Sequence, residues 1–344
     1  MSTVFSAMDY LDVLKKGLKY VEDRRSGHVK SFITPWKGLN RAGLGGLEWG
    51  SMLTIGARPG AGKTMFVSEL LRESRRLNPD QDFSILEFQF EMGPKQYAAR
   101  QFAAEVALDY NQVLSTDRQV EAYAVDMMKK YILDCEALQK QGVQRKLVVN
   151  PLTVEEINEY IIHYYKLMGS KPMIVTIDHS WLIKKDKSEK DKMATLYNTV
   201  EMLMQLKRRM PIIILMITQL NRTIEDGTRR IPGTIGNYPT SNDIFGGDAL
   251  MQGSDMVIAL SRPHKLDISI YGHKKYIVDK HHLYMHLIKI RNGKDDNTVI
   301  FLNGEFDRQK MVEISEPVQA NKGAGNATNG FVRFSAQGQT SADV

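Results

Sequence analysis

Short apolar runs alternate with longer amphipathic stretches from Leu44 onward. The runs Met52–Ile55, Phe83–Phe88, Met173–Ile177, Ile212–Ile217, Met256–Leu260 and Tyr284–Ile290 read as strands, and most are continuous rather than alternating. A strand that is apolar on both faces is one covered on both faces, as in parallel sheets flanked by helices. Between these runs, Thr64–Arg76, Pro94–Val106, Ser115–Gln139, Thr153–Met168 and Met193–Arg209 carry helical spacing. Thr153 followed by Glu156 has the form of a capping box, with the acid placed to satisfy an orphan amide. The alternation predicts an α/β fold with a mostly parallel central sheet flanked by helices.

Upstream, Val4, Met8, Leu11, Leu14, Leu18 and Val21 recur at steps of three and four, which predicts an amphipathic helix over Val4–Arg25. Its stripe either packs on its own domain or docks as an arm on a neighbouring subunit. Two loops interrupt the pattern. Lys184–Lys192 interleaves lysines with acids and reads as a solvated loop, with a nucleic-acid contact as the lesser alternative. Arg222–Asp243 holds several glycines and prolines around Arg229-Arg230, and a loop that long in a compact domain is functional or mobile. From Glu316 to Val344 the chain is rich in Gly, Ala, Asn, Ser and Gln without periodicity, which predicts disorder. Phe331 to Phe334 within it has the makings of a docking peptide, although stray aromatics in an unstructured tail are the simpler expectation. The layout is therefore a linker helix and connector over 1–31, one large domain over 32–314, and a tail over 315–344.

Composition narrows the class. At 344 residues, with 42% hydrophobic and 25% charged positions, a wholly disordered or fibrous chain is excluded. The single cysteine, Cys135, excludes an intramolecular disulfide and a Cys-rich zinc module. No apolar stretch approaches the roughly 18 residues of a membrane span, and the charged N-terminus does not read as a signal peptide. The lone thiol suits a reducing cytosol, and no membrane partner is expected. The net charge of +6 is compatible with a polyanionic partner but does not establish one.

The chemistry enters at Ala57-Arg58-Pro59-Gly60-Ala61-Gly62-Lys63-Thr64, which follows an apolar strand and opens a helix. This is a P-loop with alanine in the first glycine position. Gly60 and Gly62 let backbone amides turn toward phosphate oxygens, and the helix N-terminus adds partial positive charge. Lys63 then reaches the β and γ phosphates of ATP, and the Thr64 hydroxyl is a ligand for Mg²⁺. Asp178 ends the apolar run from Met173, where a carboxylate is out of place unless it faces a cation. Glu91 lies just past the end of Phe83–Phe88 and is a candidate base for the attacking water.

Taken together these residues resemble the DnaB-type replicative helicases of superfamily 4, in their RecA-like motor domain, from about Phe32 to Arg308. Gly45-Gly46-Leu47-Glu48-Trp49-Gly50-Ser51-Met52 resembles the entry to the P-loop strand, and the P-loop itself is similar to the family's, leading alanine included. Glu91-Met92 with Gln96 and Arg100 matches the segment of the catalytic glutamate, and Asn150-Pro151-Leu152-Thr153 with Glu156-Ile157 the stretch before the Asp178 strand. Thr218-Gln219-Leu220-Asn221-Arg222 resembles the family's Ser-Gln-Leu-Asn-Arg motif, which implies that Gln219 senses the γ-phosphate. Lys289-Ile290-Arg291-Asn292-Gly293 matches a Lys-x-Arg-Asn-Gly segment, which implies that Lys289 and Arg291 reach the nucleotide of the adjacent subunit. Residues two apart on a strand share a face, so both cations can aim at one triphosphate.

The resemblance implies an ATP-dependent DNA helicase: a hexameric ring that moves 5′ to 3′ along single-stranded DNA and unwinds a fork, with primase, a helicase loader or other replisome proteins as partners. Asp243 to Asp255 resembles the DNA-touching loop, with Gln252 and Asp255 at its later landmarks. There the chain departs from the family, because Phe245 stands in place of an arginine and Gly246-Gly247-Asp248 in place of a Gly/Glu-Ser-Gly. The DNA set implied is Phe245, Gly246, Gly247 and Asp248, with phosphate held by backbone amides and a base stacked on Phe245, joined by Arg229 and Arg230. His179-Ser180-Trp181 replaces the usual Tyr-Leu-Gln after Asp178. Only some thirty residues precede the motor, so no counterpart of the primase-binding N-terminal domain of cellular members is expected, as in a short phage or mobile-element form. Two other classes share the P-loop: a RecA-class recombinase or mediator that binds DNA without unwinding it, and a KaiC-like signalling ATPase. His281, His282 and His286 lack the spacing of a metal site.

Overall fold

A computed structural model describes residues 8–293 and 298–320 of the chain. The elements run α1 (Tyr10–Arg25), α2 (Lys37–Ala42), β1 (Met52–Ala57), α3 (Lys63–Leu77), β2 (Ser84–Gln89), α4 (Pro94–Glu105), α5 (Tyr110–Leu114) and α6 (Ala122–Lys140). They continue with β3 (Arg145–Val148), α7 (Val154–Leu167), β4 (Met173–Asp178), α8 (Lys192–Arg209), β5 (Ile212–Gln219), α9 (Gly247–Gly253) and β6 (Met256–Ser261). A small hairpin, β7 (Ile270–Tyr271) and β8 (Tyr276–Ile277), precedes β9 (His282–Ile290), β10 (Val299–Glu305) and β11 (Lys310–Glu313).

One sheet organises the chain, in the order β11-β10-β9-β6-β1-β5-β4-β2-β3. From β6 to β3 the neighbours are parallel, and β9, β10 and β11 extend the sheet antiparallel. Every residue of β1, β2, β4 and β6 is buried, as continuous apolar runs require. One face packs on α3 and Trp36, whose ring stacks on Phe66 at 4.0 Å between centroids. The other face is covered by α7, α8 and α9. The capping box of α7 is present in both directions, Glu156 to the Thr153 amide at 2.8 Å and Thr153 to the Glu156 amide at 3.3 Å. This is the expected α/β architecture, with the loops after β1, β2, β4 and β5 gathered at the carboxyl edge, where open parallel sheets bind ligands.

Several expectations need revision. Ser115–Glu121 is irregular, and the helix expected from Ser115 begins at Ala122. Strands β3, β10 and β11 and helix α2 were not legible; β10 alternates half-buried and buried positions, and its Asn303, Gly304 and Glu305 break the apolar run. Helix α1 buries none of its residues, and Leu11, Leu14, Leu18 and Val21 are exposed, so its stripe has no partner within the described chain. The Arg222–Asp243 loop is a string of 3₁₀ turns tied by Arg229. Residues 316–320, assigned by composition to the tail, run beside the small hairpin, with the Ile277 amide on the Val318 carbonyl at 2.8 Å. Val4–Phe5 of the first helix and Phe331–Phe334 lie outside the described residues.

Candidate active site

The P-loop leaves the C-terminal end of the central strand β1 and turns into α3. Gly60 and Gly62 have φ of +75° and +90°, which L side chains rarely adopt, and Gly62 caps α3. Lys63 is buried, with its Nζ turned back to the Ala57 carbonyl at 3.4 Å. Burial lowers its pKa, against the opposing pull of Asp178 and Glu91. The Thr64 hydroxyl donates to Asp178 Oδ2 at 3.2 Å. Arg58 turns away from the loop's concave side, donating to Glu225 at 2.5 Å and to the Leu220 carbonyl at 2.9 Å.

Asp178 sits at the end of β4, opposite Gln89 in the β2 register. Gln89 was missed by the sequence reading, although a glutamine closing an apolar run is the same kind of signal as Asp178. Its Nε2 donates to Asp178 Oδ2 at 3.1 Å, and its Oε1 accepts the Glu91 amide at 3.2 Å. One amide therefore fixes both the carboxylate and the backbone of the candidate base. Burial raises the Asp178 pKa, partly countered by the Gln89 hydrogen bond, and Oδ1 is buried with no partner among the described residues. A buried acid with an orphan oxygen beside a buried lysine of lowered pKa is a donor set suited to a divalent cation and a triphosphate, which would supply the missing charges.

Around this centre, a cavity of about 250 Å³ is lined by the P-loop with Glu91, Arg100, Gln219, Phe306 and Gln309. Phe306 is capped by the Arg262 guanidinium at 3.3 Å from the ring centroid, and neither residue carries a signal readable from sequence. Gln219 ends β5 beside Ala57.

Lys289 and Arg291 are brought together, but far from this cavity. Lys289 donates to the Met251 and Ser254 carbonyls, and Arg291 pairs with Asp255 at 3.0 Å and donates to the Gln252 carbonyl at 3.1 Å. Ile290 aligns with Met256, and Met256 with Leu53, four positions before Ala57. About 13 Å of strand thus separates Arg291 from the start of its own P-loop.

The candidate nucleic-acid residues fare unevenly. Phe245 is half-buried, edge-on to Trp181 at 4.6 Å, with its amide on the Gln219 carbonyl at 2.9 Å; it faces the catalytic side rather than standing free for a base. Gly246 (φ +70°) caps the N-terminus of α9, where a Cβ would lie 2.2 Å from Leu196, and is followed by Gly247 and the exposed Asp248. Arg229 is committed to Asp243 at 2.9 Å and to the Gly236 and Tyr238 carbonyls, so it holds the loop instead of projecting from it. Arg230 is exposed, and no hydrogen bond or ion pair engages it among the described residues. Among the same residues no cluster of three metal-ligating side chains exists, and His286 is buried against the Tyr271 hydroxyl at 2.8 Å, its pKa lowered to about 3 by burial.

Residues 32–310 match the family model for the DnaB-like helicase C terminal domain. Among curated relatives, the replicative DNA helicase DnaB of Haemophilus influenzae is 22% identical over 307 residues, 88% of this chain and 58% of its own. That of Helicobacter pylori is 24% identical over 266 residues, 76% of this chain and 50% of its own. The chain thus spans little more than half the length of these relatives. Among solved structures, an ATPase domain superposes with a TM-score of 0.72 at 17% identity, covering 90% of this chain and all of that one. A DnaB-like replicative helicase described with its primase interactions gives 0.70 at 17%, covering 90% and 68%. The fold is that of these RecA-like ATPase domains, and the chain belongs to the DnaB-like helicase family.

Proposed function

We propose that this DnaB-family chain is an ATP-driven motor on single-stranded DNA whose catalytic site is completed only between neighbouring subunits. The observation that carries this reading is the separation of Lys289 and Arg291 from their own P-loop by the length of β1. Two cations matched to the family's trans-acting pair, at the far end of the sheet, have no phosphate to meet unless a second chain presents one.

Within one chain, the P-loop amides and Lys63 hold the triphosphate, while Thr64 and Asp178 hold Mg²⁺, which when bound supplies charge neutralisation at the β and γ phosphates. The Phe306 face opposite Arg262 offers a surface for the base. Glu91, its backbone anchored by Gln89, accepts a proton from the attacking water. That water's oxygen bonds to the γ-phosphorus as the bond to the bridging oxygen breaks, giving ADP and phosphate. Gln219, an amide that can donate or accept, changes partner when the γ-phosphate leaves. The backbone carbonyl of Gln219 accepts the Phe245 amide, a route by which that change would reach the loop before α9.

The assembly consistent with this division is a six-membered ring around single-stranded DNA, moving 5′ to 3′ and unwinding a fork in the cytoplasm. The unpartnered stripe of α1 is suited to grip a neighbouring subunit. A primase or loader would act on the same ring. The test is ATPase activity with and without single-stranded DNA, alongside a mass measurement with the β,γ-imido analogue of ATP. DNA stimulation together with a closed oligomer is expected. An open filament favours a recombinase, and indifference to DNA a signalling ATPase.

A further inference from the structure

Behind Glu91 and Gln219 lies a second chamber of about 340 Å³, lined by these two residues with His179, Trp181, Leu182 and Phe245. Glu91 and Gln219 therefore form a partition, with the phosphate cavity on one side and this chamber on the other. His179 follows Asp178 directly and is only 4% exposed. Its Nδ1 accepts the Trp181 amide at 3.2 Å, so in the neutral ring the proton resides on Nε2. That Nε2–H is buried and has no partner among the described residues. An unmet buried donor is costly, and of the two side chains in its chamber that carry an acceptor, Glu91 and Gln219, only Glu91 is charged and so accepts the stronger hydrogen bond. The two segments are already joined, because the Phe90 amide donates to the Asp178 carbonyl at 2.6 Å.

We propose that His179 is a positioning residue for Glu91, its Nε2–H fixing the carboxylate from the chamber side so that the opposite oxygen faces the attacking water. The proposal rests on the reading of Glu91 as the base. Trp181 and Phe245, edge-on to each other at 4.6 Å, form one wall of the chamber. Because the Phe245 amide also donates to the Gln219 backbone carbonyl, two positions before α9 begins, the grip on Glu91 lies between the phosphate and the candidate DNA loop.

The test separates geometry from folding. Glutamine places its amide nitrogen near the position of Nε2, whereas asparagine places its own near Nδ1. His179→Phe and His179→Asn are expected to lower kcat about tenfold, the effect of one lost hydrogen bond, with KM for ATP and affinity for the β,γ-imido analogue within about twofold. His179→Gln is expected to restore kcat to within about threefold of the parent. If His179→Phe fails to fold, the glutamine–asparagine comparison decides alone. Equal kcat in the glutamine and asparagine variants, or a loss of analogue binding that matches the loss of kcat, would overturn the proposal. Glu91→Gln is run in parallel. If it abolishes turnover while His179→Phe does not change kcat, the positioning role alone falls; if it leaves turnover intact, the base assignment falls with it.

Discussion

Arg291 is tethered by Asp255, Nη1 to Oδ1 at 3.0 Å, and the same carboxylate receives the buried Lys207 ammonium and the Met52 amide. The guanidinium is thus held ready at the amino edge of the sheet while staying about half exposed. A group whose work lies within its own chain would not be expected at the edge opposite the P-loop.

Arg291→Ala should therefore separate binding from chemistry. Turnover is expected to fall by about 10³, the scale of a trans-acting arginine in P-loop enzymes, with affinity for the β,γ-imido analogue within a few-fold. The pair with Asp255 is part-exposed, so stability should change by less than about 1 kcal/mol. Steady-state kinetics, analogue titration and a thermal melt check the three parts.

Burial of Asp178 carries a cost to stability. Burial raises its pKa, so in the absence of nucleotide its charged form disfavours the fold at any pH above the raised value; the contribution is favourable only below the unfolded-state value and is lost as pH rises through the folded one. Asp178→Asn, melted without nucleotide at pH 8, is expected to show a Tm equal to or above the parent's, and turnover lower by at least about 10². A lower Tm would contradict the account.

Arg229 and Asp243 brace the loop after β5. Burial would raise the Asp243 pKa, but hydrogen bonds from Arg229 and Thr240 outweigh it and the value is lowered. The resulting stabilisation is present above the ordinary carboxylate pKa and is lost as pH falls through the lowered one. Arg229→Ala should cost about 2 kcal/mol, below the usual figure for a buried pair because the arginine is partly exposed, and should move acid unfolding to higher pH. Denaturant melts at pH 7 and pH 3.5 test both.

Arg230, exposed beside that brace, is with Arg222 one of two loop cations that no ion pair engages among the described residues. Arg230→Ala should weaken single-stranded DNA binding at low salt and reduce the slope of log K against log salt by about 0.7, without altering the Tm. An unchanged slope would remove it from the DNA surface.

What was legible in the sequence follows from locality. The P-loop, the Asp178 strand and the capping box each depend on residues within a few positions of one another, and the structure contains them as read. Gln89, the Arg229–Asp243 brace and the chamber behind Glu91 depend on contacts between distant segments. Arg229 read as a loop cation because nothing local shows that Asp243 neutralises it. Phe245 read as a stacking platform because its edge contact with Trp181 joins residues 64 positions apart. Strand β10 escaped because Asn303, Gly304 and Glu305 complete a run whose burial is decided by β9 and β11 on either side.

The shared site is tested most directly by mixing two inactive variants, Lys63→Ala, which lacks a working P-loop but keeps Arg291, and Arg291→Ala, which is its complement. Each alone should hydrolyse ATP at background. The mixed assembly should regain turnover, because at some boundaries an intact P-loop meets an intact Arg291 from the next chain. If the mixture stays at background while isolated single chains of the parent hydrolyse ATP at the full rate, the site is not shared.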